Sequence, residues 1–134
     1  MSLWLLKTEP TVYSFADLER DGRTVWDGIT NNAALKHIRS VREGDEALVY
    51  HTGEERAAVG IARIATAPYP DPHVGDPRLV VFDLEPVRRL PRPVTLAEVK
   101  ADPAFAGFAL VREPRLSVMP VPPALWKRLL ALAK

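Results

Sequence analysis

Leu3 to Leu6 are apolar without a break, and the run stops at Lys7 ahead of Thr8-Glu9-Pro10. So short a continuous stretch predicts a buried strand over Leu3–Lys7, ended where proline has no N–H to give to a ladder. Ser14 with Asp17 three residues on is a capping box, Phe15 and Leu18 follow, and Gly22 is a stop, which predicts a short helix over Ser14–Asp21. Thr24–Trp26 is a brief extended piece. Asp27-Gly28 is then a turn, because glycine tolerates positive φ, and Thr30-Asn31-Asn32 supplies capping side chains. The helix they open runs from Ala33 to Arg39, with Ala34, Leu35, Ile38 and Val41 at helical spacing and Gly44-Asp45 as the turn beyond.

Glu46–Thr52 and Ala57–Ala65 are rich in strand formers and are joined by Gly53–Arg56, the pattern of a hairpin. Gly60 inside the second strand predicts a bulge or a close approach of another group. Ala67–Pro77 reads as a long loop stiffened by prolines and carrying Tyr69. Leu79–Leu84 is a strand running on towards Leu90, with Pro86 placing its far half at an edge or a bulge. Thr95 with Glu98 is a second capping box, whose helix runs through Lys100 and stops before Asp102-Pro103. Ala104–Leu110 reads as irregular or a single turn, and Arg115–Met119 as extended and closed by Pro120. Pro122-Pro123 then opens a last helix with an apolar stripe of Leu125, Leu129 and Leu132, flanked by Trp126 and Leu130. Helices early with a run of strands after them predict an α+β fold on a strongly curved, mostly antiparallel sheet.

A chain of 134 residues fits one domain, expected here over 1–134. Its 18 basic residues almost balance 17 acidic ones, so nucleic-acid contact requires a local basic patch rather than bulk charge. The absence of cysteine excludes disulfides, thiolate zinc sites and cysteine nucleophiles, and suits a reducing cytosolic or nuclear compartment. His37, His51 and His73 show no ligand spacing, so neither a metal nor another cofactor is expected. The first apolar run is far too short for a signal segment or membrane span, which points to a soluble cytoplasmic protein, expected as a monomer.

Trp4-Leu5-Leu6-Lys7-Thr8-Glu9-Pro10, Tyr13-Ser14, Trp26-Asp27-Gly28-Ile29, His37-Ile38-Arg39, Tyr50-His51-Thr52, Tyr69-Pro70-Asp71-Pro72 and Arg115-Leu116-Ser117-Val118 occur in one order along nearly the whole chain. Together they resemble the EVE domain family. The resemblance implies a PUA-like fold related to YTH and ASCH domains, a curved sheet or open barrel surrounded by short helices and carrying a pocket, and recognition of modified bases in nucleic acid. The chain departs from the family pattern at Thr30-Asn31-Asn32, where many relatives read Arg-Asn-Tyr, and at Leu35, where arginine is common.

Trp26, ahead of a turn and a helix start, is either a core residue or the wall of a site that stacks on a flat ligand. Its likeness to the cage tryptophan of YTH domains implies the wall. Asn31 and Asn32 can cap the helix, and a side-chain amide can also pair with a base edge. His51 and Thr52, at a strand end, are either half-exposed bystanders or site residues, and Tyr69 is a second aromatic wall or a loop anchor. Resemblance sets Lys7, Thr8 and Glu9 beside the pocket and brings Arg115 and Ser117 towards it, with Arg115 as a phosphate clamp. The expected function is a non-catalytic module that captures a flipped, modified base, such as a modified cytosine or methyladenine, in DNA or RNA. The alternative is a hydrolase or glycosylase using Glu9, Asp27 or His51 as general acid or base, although no catalytic constellation with defined spacing is present.

Overall fold

In the computed structural model, which describes residues 1–134, the elements follow in the order β1 (Leu3–Thr8), α1 (Phe15–Asp21), β2 (Thr24–Trp26), α2 (Asn32–Ile38), β3 (Glu46–His51), β4 (Ala57–Ile64), β5 (Tyr69–Pro70) and β6 (Val80–Thr95). Then come α3 (Leu96–Ala101), a 3-10 turn (Pro103–Phe105), α4 (Ala109–Arg112), β7 (Val118–Pro120) and α5 (Pro123–Leu132). All seven strands form one sheet in the order β2-β6-β4-β3-β1-β7, with β5 added to β6. Only β1 and β3 pair in parallel; every other pairing is antiparallel. A parallel pair needs a crossover, and residues 9–45 supply it, carrying α1, β2 and α2.

Register shifts between Val49 and Tyr50, Ala58 and Gly60, and Ile61 and Ala62 bend the central strands. The sheet curls into a half-open barrel with short helices around it. Trp4, Leu5 and Leu6 of β1, Ala47–His51 of β3 and Ala57–Ala62 of β4 are all buried. Their near-continuous burial, without alternation, means that both faces of the sheet are covered here, which explains the unbroken apolar runs in the sequence. Gly60 fulfils both of its expected roles. It sits at a register shift, and a Cβ there would lie 1.9 Å from Cε1 of Phe15, so the Phe15 ring rests directly on this backbone. Asp45 is a buried carboxylate that accepts from the Trp4 indole at 2.9 Å, the Ser2 amide at 3.0 Å and the Arg42 amide at 2.9 Å. That network keeps Trp4 in the core, where Trp126 also lies.

Both capping boxes form, Ser14 with Asp17 and Thr95 with Glu98, and Gly22 ends α1 at φ 74°. Four expectations need correction or refinement. The loop Ala67–Pro77 contains β5, in which Tyr69 and Pro70 pair with Val81 and Val80. The strand begun near Leu79 runs beyond Leu90 to Thr95, because β4 continues to pair with it as far as Ala57↔Thr95. Ala104–Leu110, read as irregular or a single turn, takes in the end of the 3-10 turn and the start of α4. Arg115–Ser117 are not in a strand; only Val118–Pro120 pair with β1, and Pro120 belongs to the strand instead of ending it, since an edge position leaves its missing N–H unneeded.

Candidate functional site

The crossover places its aromatics together. Trp26 ends β2 opposite Phe82, and the chain leaves it through Asp27-Gly28, where Gly28 takes φ 78°. A left-handed turn here lets the chain double back to α2, whose N-cap Asn31 accepts from the Ala34 amide at 3.1 Å. Tyr13 precedes the Ser14 box and presents its ring edge-on to Trp26, with centroids 6.3 Å apart and planes at 81°. Its hydroxyl donates to Asp21 at 2.9 Å, and burial pushes the phenol's pKa up. The loop before it is pinned from three sides: Val12 and Tyr13 amides donate to the Glu9 carbonyl, and the Thr8 hydroxyl donates to the Tyr13 carbonyl at 2.6 Å.

These groups enclose a cleft of about 480 Å³. Trp26 and Tyr13 supply aromatic surface, Val12, Val25 and Ile29 aliphatic surface, and Lys7, Thr8, Thr24 and Asp27 the polar groups. Its size falls within the range of roughly 300–1,000 Å³ for small-molecule sites. Trp26 itself is only 7% exposed. Lys7 is half-buried, which lowers its pKa; its Nζ donates to the Pro114 carbonyl at 2.9 Å and lies 5.8 Å from the Tyr50 ring centroid. A second opening of about 300 Å³ lies alongside, lined by Asn31, Ala33, Glu113, Pro114, Arg115 and Leu116.

Of the residues singled out from sequence, Trp26, Lys7 and Thr8 line the cleft, while Asn31 and Arg115 line the second opening. Asn32 is exposed at the start of α2, and its side-chain carbonyl accepts from Arg78 at 3.4 Å. Ser117 meets this region through its backbone, whose carbonyl accepts from the Lys7 amide at 2.9 Å. Glu9, His51 and Thr52 form a separate cluster. His51 is buried, its Nε2 accepts from the Phe15 amide at 3.0 Å and its Nδ1 faces Glu55, so both ring nitrogens are engaged and Nδ1 carries the proton. The Thr52 hydroxyl reaches the Thr8 carbonyl and Glu9, and Glu9 also accepts from Thr11. Tyr69 lines neither opening; its hydroxyl donates to Asp83, which Arg23 holds from the other side. Glu9, Asp27 and His51 are thus not gathered into one reactive centre, and Asp27 alone of the three lines the cleft.

Tyr13, Val12 and Ile29 are cleft residues that sequence reasoning passed over. Tyr13 had a usable signal: it stands immediately before a capping box, the position at which an aromatic is held down against the helix.

Comparison with known protein families matches the EVE domain over residues 2–132. The chain belongs to the EVE domain family. It is 30% identical to thymocyte nuclear protein 1 from Homo sapiens over 90% of this chain and 68% of that protein. Among solved structures, this EVE domain is similar to Rpa0253 from Rhodopseudomonas palustris, with 38% identity and a TM-score of 0.94 over 99% of this chain and 93% of that one. It is also similar to the human THYN1 protein in a complex with DNA containing 5-methylcytosine, with 27% identity and a TM-score of 0.92 over 100% of this chain and 98% of that one. The PUA-like fold extends to an ASCH protein from Zymomonas mobilis, at 14% identity and a TM-score of 0.64 over 98% and 95% of the two chains. No helix of the EVE domain is long and apolar enough to cross a membrane.

Proposed function

We propose that this chain is a non-catalytic DNA-binding module that takes an extruded, modified base, of the 5-methylcytosine kind, into the cleft beside Trp26. The observation that carries this reading is the joining of Trp26 and Tyr13 in one cleft of base-accommodating size, in a chain similar throughout its length to a protein solved with 5-methylcytosine DNA. A cytosine ring needs a flat apolar surface for its π-face and an acceptor for its exocyclic amine; Trp26 and Asp27 are of those two types. Val12, Val25 and Ile29 are the apolar partners for a methyl group. Because so little of the indole is exposed, stacking on it requires the Val12–Tyr13 loop to give up its hydrogen bonds to Glu9 and Thr8; Val12 is 79% exposed, so its own side chain adds no further resistance.

The test is titration with two oligonucleotides identical except for one cytosine or 5-methylcytosine, using the wild type, Trp26→Phe and Ile29→Trp, the last filling the cleft from its half-buried rim. Base–aromatic stacking contributes about 1–3 kcal/mol, roughly fivefold to a hundredfold in affinity. The methylated strand is expected to bind more tightly, and both variants to lose that preference. Equal affinity of the wild type for both strands, with neither variant differing from it, overturns the reading.

A further inference from the structure

The cleft and the second opening are tied together through their linings. A single stretch of chain lines the first with Trp26, Asp27 and Ile29 and the second with Asn31 and Ala33. Lys7 joins them again, since it lines the cleft while its Nζ is fixed on Pro114, which lines the second opening beside Arg115. Beyond Asn31 the surface continues along α2. Arg78 donates to Asn32 at 3.4 Å, Arg39 donates to the Arg78 carbonyl at 2.7 Å, and exposed Lys36 stands four residues after Asn32 and three before Arg39, on the same helix face.

Freedom from an ion pair is shared with cations elsewhere, such as Arg88, Lys100 and Lys127, so what marks this surface is that several unpaired cations gather on it. Arg23, Arg63, Arg89, Arg92 and Arg128 are all neutralised by carboxylates of the fold. Lys7, Lys36, Arg39 and Arg115 make no ion pair, and Lys7 and Arg39 are oriented by backbone carbonyls, which hold a cation in place without cancelling it. The carboxylates on this surface are Asp27 in the cleft, Glu113 beside Arg115, and Asp76 at 3.6 Å from Arg78. Five cations against three carboxylates leave a positive excess in a chain whose total charge is only +1.

We infer that the sugar-phosphate backbone flanking the extruded nucleotide follows this track, from Lys7 past Arg115 to Arg78, Arg39 and Lys36. The inference rests on the base-binding reading of the cleft. Asn32 to Arg39 spans about 10 Å of helix, the length over which one DNA strand presents roughly three phosphates at about 3.4 Å of axis per charge. Phosphate contacts of this kind fix register and affinity without reading sequence, so the track and the cleft divide the work between holding the strand and choosing the base.

Binding of the same two oligonucleotides is measured between 50 and 200 mM salt, on the order of the range over which counterion release is read, for the wild type, Arg115→Gln, Lys36→Gln, their double variant, and Lys127→Gln on α5 outside the track. All three positions are exposed. Each track substitution is expected to weaken binding to both strands by the same factor and to lower the slope of log affinity against log salt by about 0.7–0.9, with the double variant losing twice that. Lys127→Gln should leave the slope unchanged. An unaltered slope in the double variant, or an equal loss in Lys127→Gln, overturns the track. Failure of the base reading looks different: the wild type then binds both strands equally, while the track substitutions still lower the slope. Absence of binding to either strand overturns both.

Discussion

Tyr69 shows how a residue suited to stacking can be held by an acid instead. Its hydroxyl donates to Asp83, whose other oxygen is held by Arg23, and deprotonation would set a phenolate against that carboxylate. The hydrogen bond to Asp83 therefore pushes its pKa from the ordinary 10.0 up to about 12. With the folded value raised above the unfolded one, the contribution to stability is complete below pH 10 and is lost as pH climbs towards 12. Urea unfolding at a series of pH values from neutral upward should show stability falling across that window in the wild type and a flatter profile in Tyr69→Phe. At neutral pH the variant should be less stable by about 1 kcal/mol, the usual value for a bond to a charged group being reduced by partial exposure. Sequence left Tyr69 open between wall and anchor because the decision belongs to Asp83, fourteen positions away in sequence, and no local pattern reports that partner. Gly60 was easier to read, since glycine within a strand limits the explanations to a bulge or a close neighbour, and Phe15 is that neighbour.

Elements whose cause is local were readable from the chain alone. α1 and α3 follow from capping boxes four residues long, and both boxes form. By contrast β5 exists only because Val80 and Val81 lie opposite Tyr69 and Pro70, and α4 has no side-chain cap to announce it. α1 also bears on the cleft, because its first amide is held by His51 and the residue before its N-cap is Tyr13. Ser14→Ala removes the acceptor for the Asp17 amide and is expected to lower stability by about 1 kcal/mol. Hydrogen exchange should show faster opening at Asp17 and Leu18, with the amides of β3 unchanged. Equal protection of α1 in both proteins would show that His51 alone secures its start. Between Asn31 and Asn32, the choice of cap was equally a matter of one hydrogen bond, to Ala34, and the other asparagine was left for Arg78.

Across the whole molecule, the longest strand is also the one with most prolines. Beyond Leu84, β6 pairs only with β4, and Pro86, Pro91 and Pro93 lie along this one-sided half. A proline nitrogen can sit in a strand only where it faces away from the ladder, so these residues leave the outer edge short of donors and guard it against pairing with another chain. Replacing Pro91 and Pro93 together by threonine should therefore raise self-association, measured by sedimentation velocity over a concentration series; an unchanged distribution would assign protection of this edge to its charged neighbours. The curved, mostly antiparallel sheet was readable because short runs of strand formers, bounded by turn residues, follow one another after the early helices. The separation of the proposed site residues into cleft, second opening and the His51 cluster was not, since it depends on the bulges and on where the chain crosses between β1 and β3. That crossover has a genetic consequence. Of the cleft residues, Val12, Tyr13, Thr24, Val25, Trp26, Asp27 and Ile29 all fall within residues 9–45, while the barrel contributes Lys7 and Thr8 from one strand end. One contiguous stretch of coding sequence can therefore drift in ligand preference, with Thr30 and Asn32 already inside it, while the rest of the gene remains under selection for the barrel.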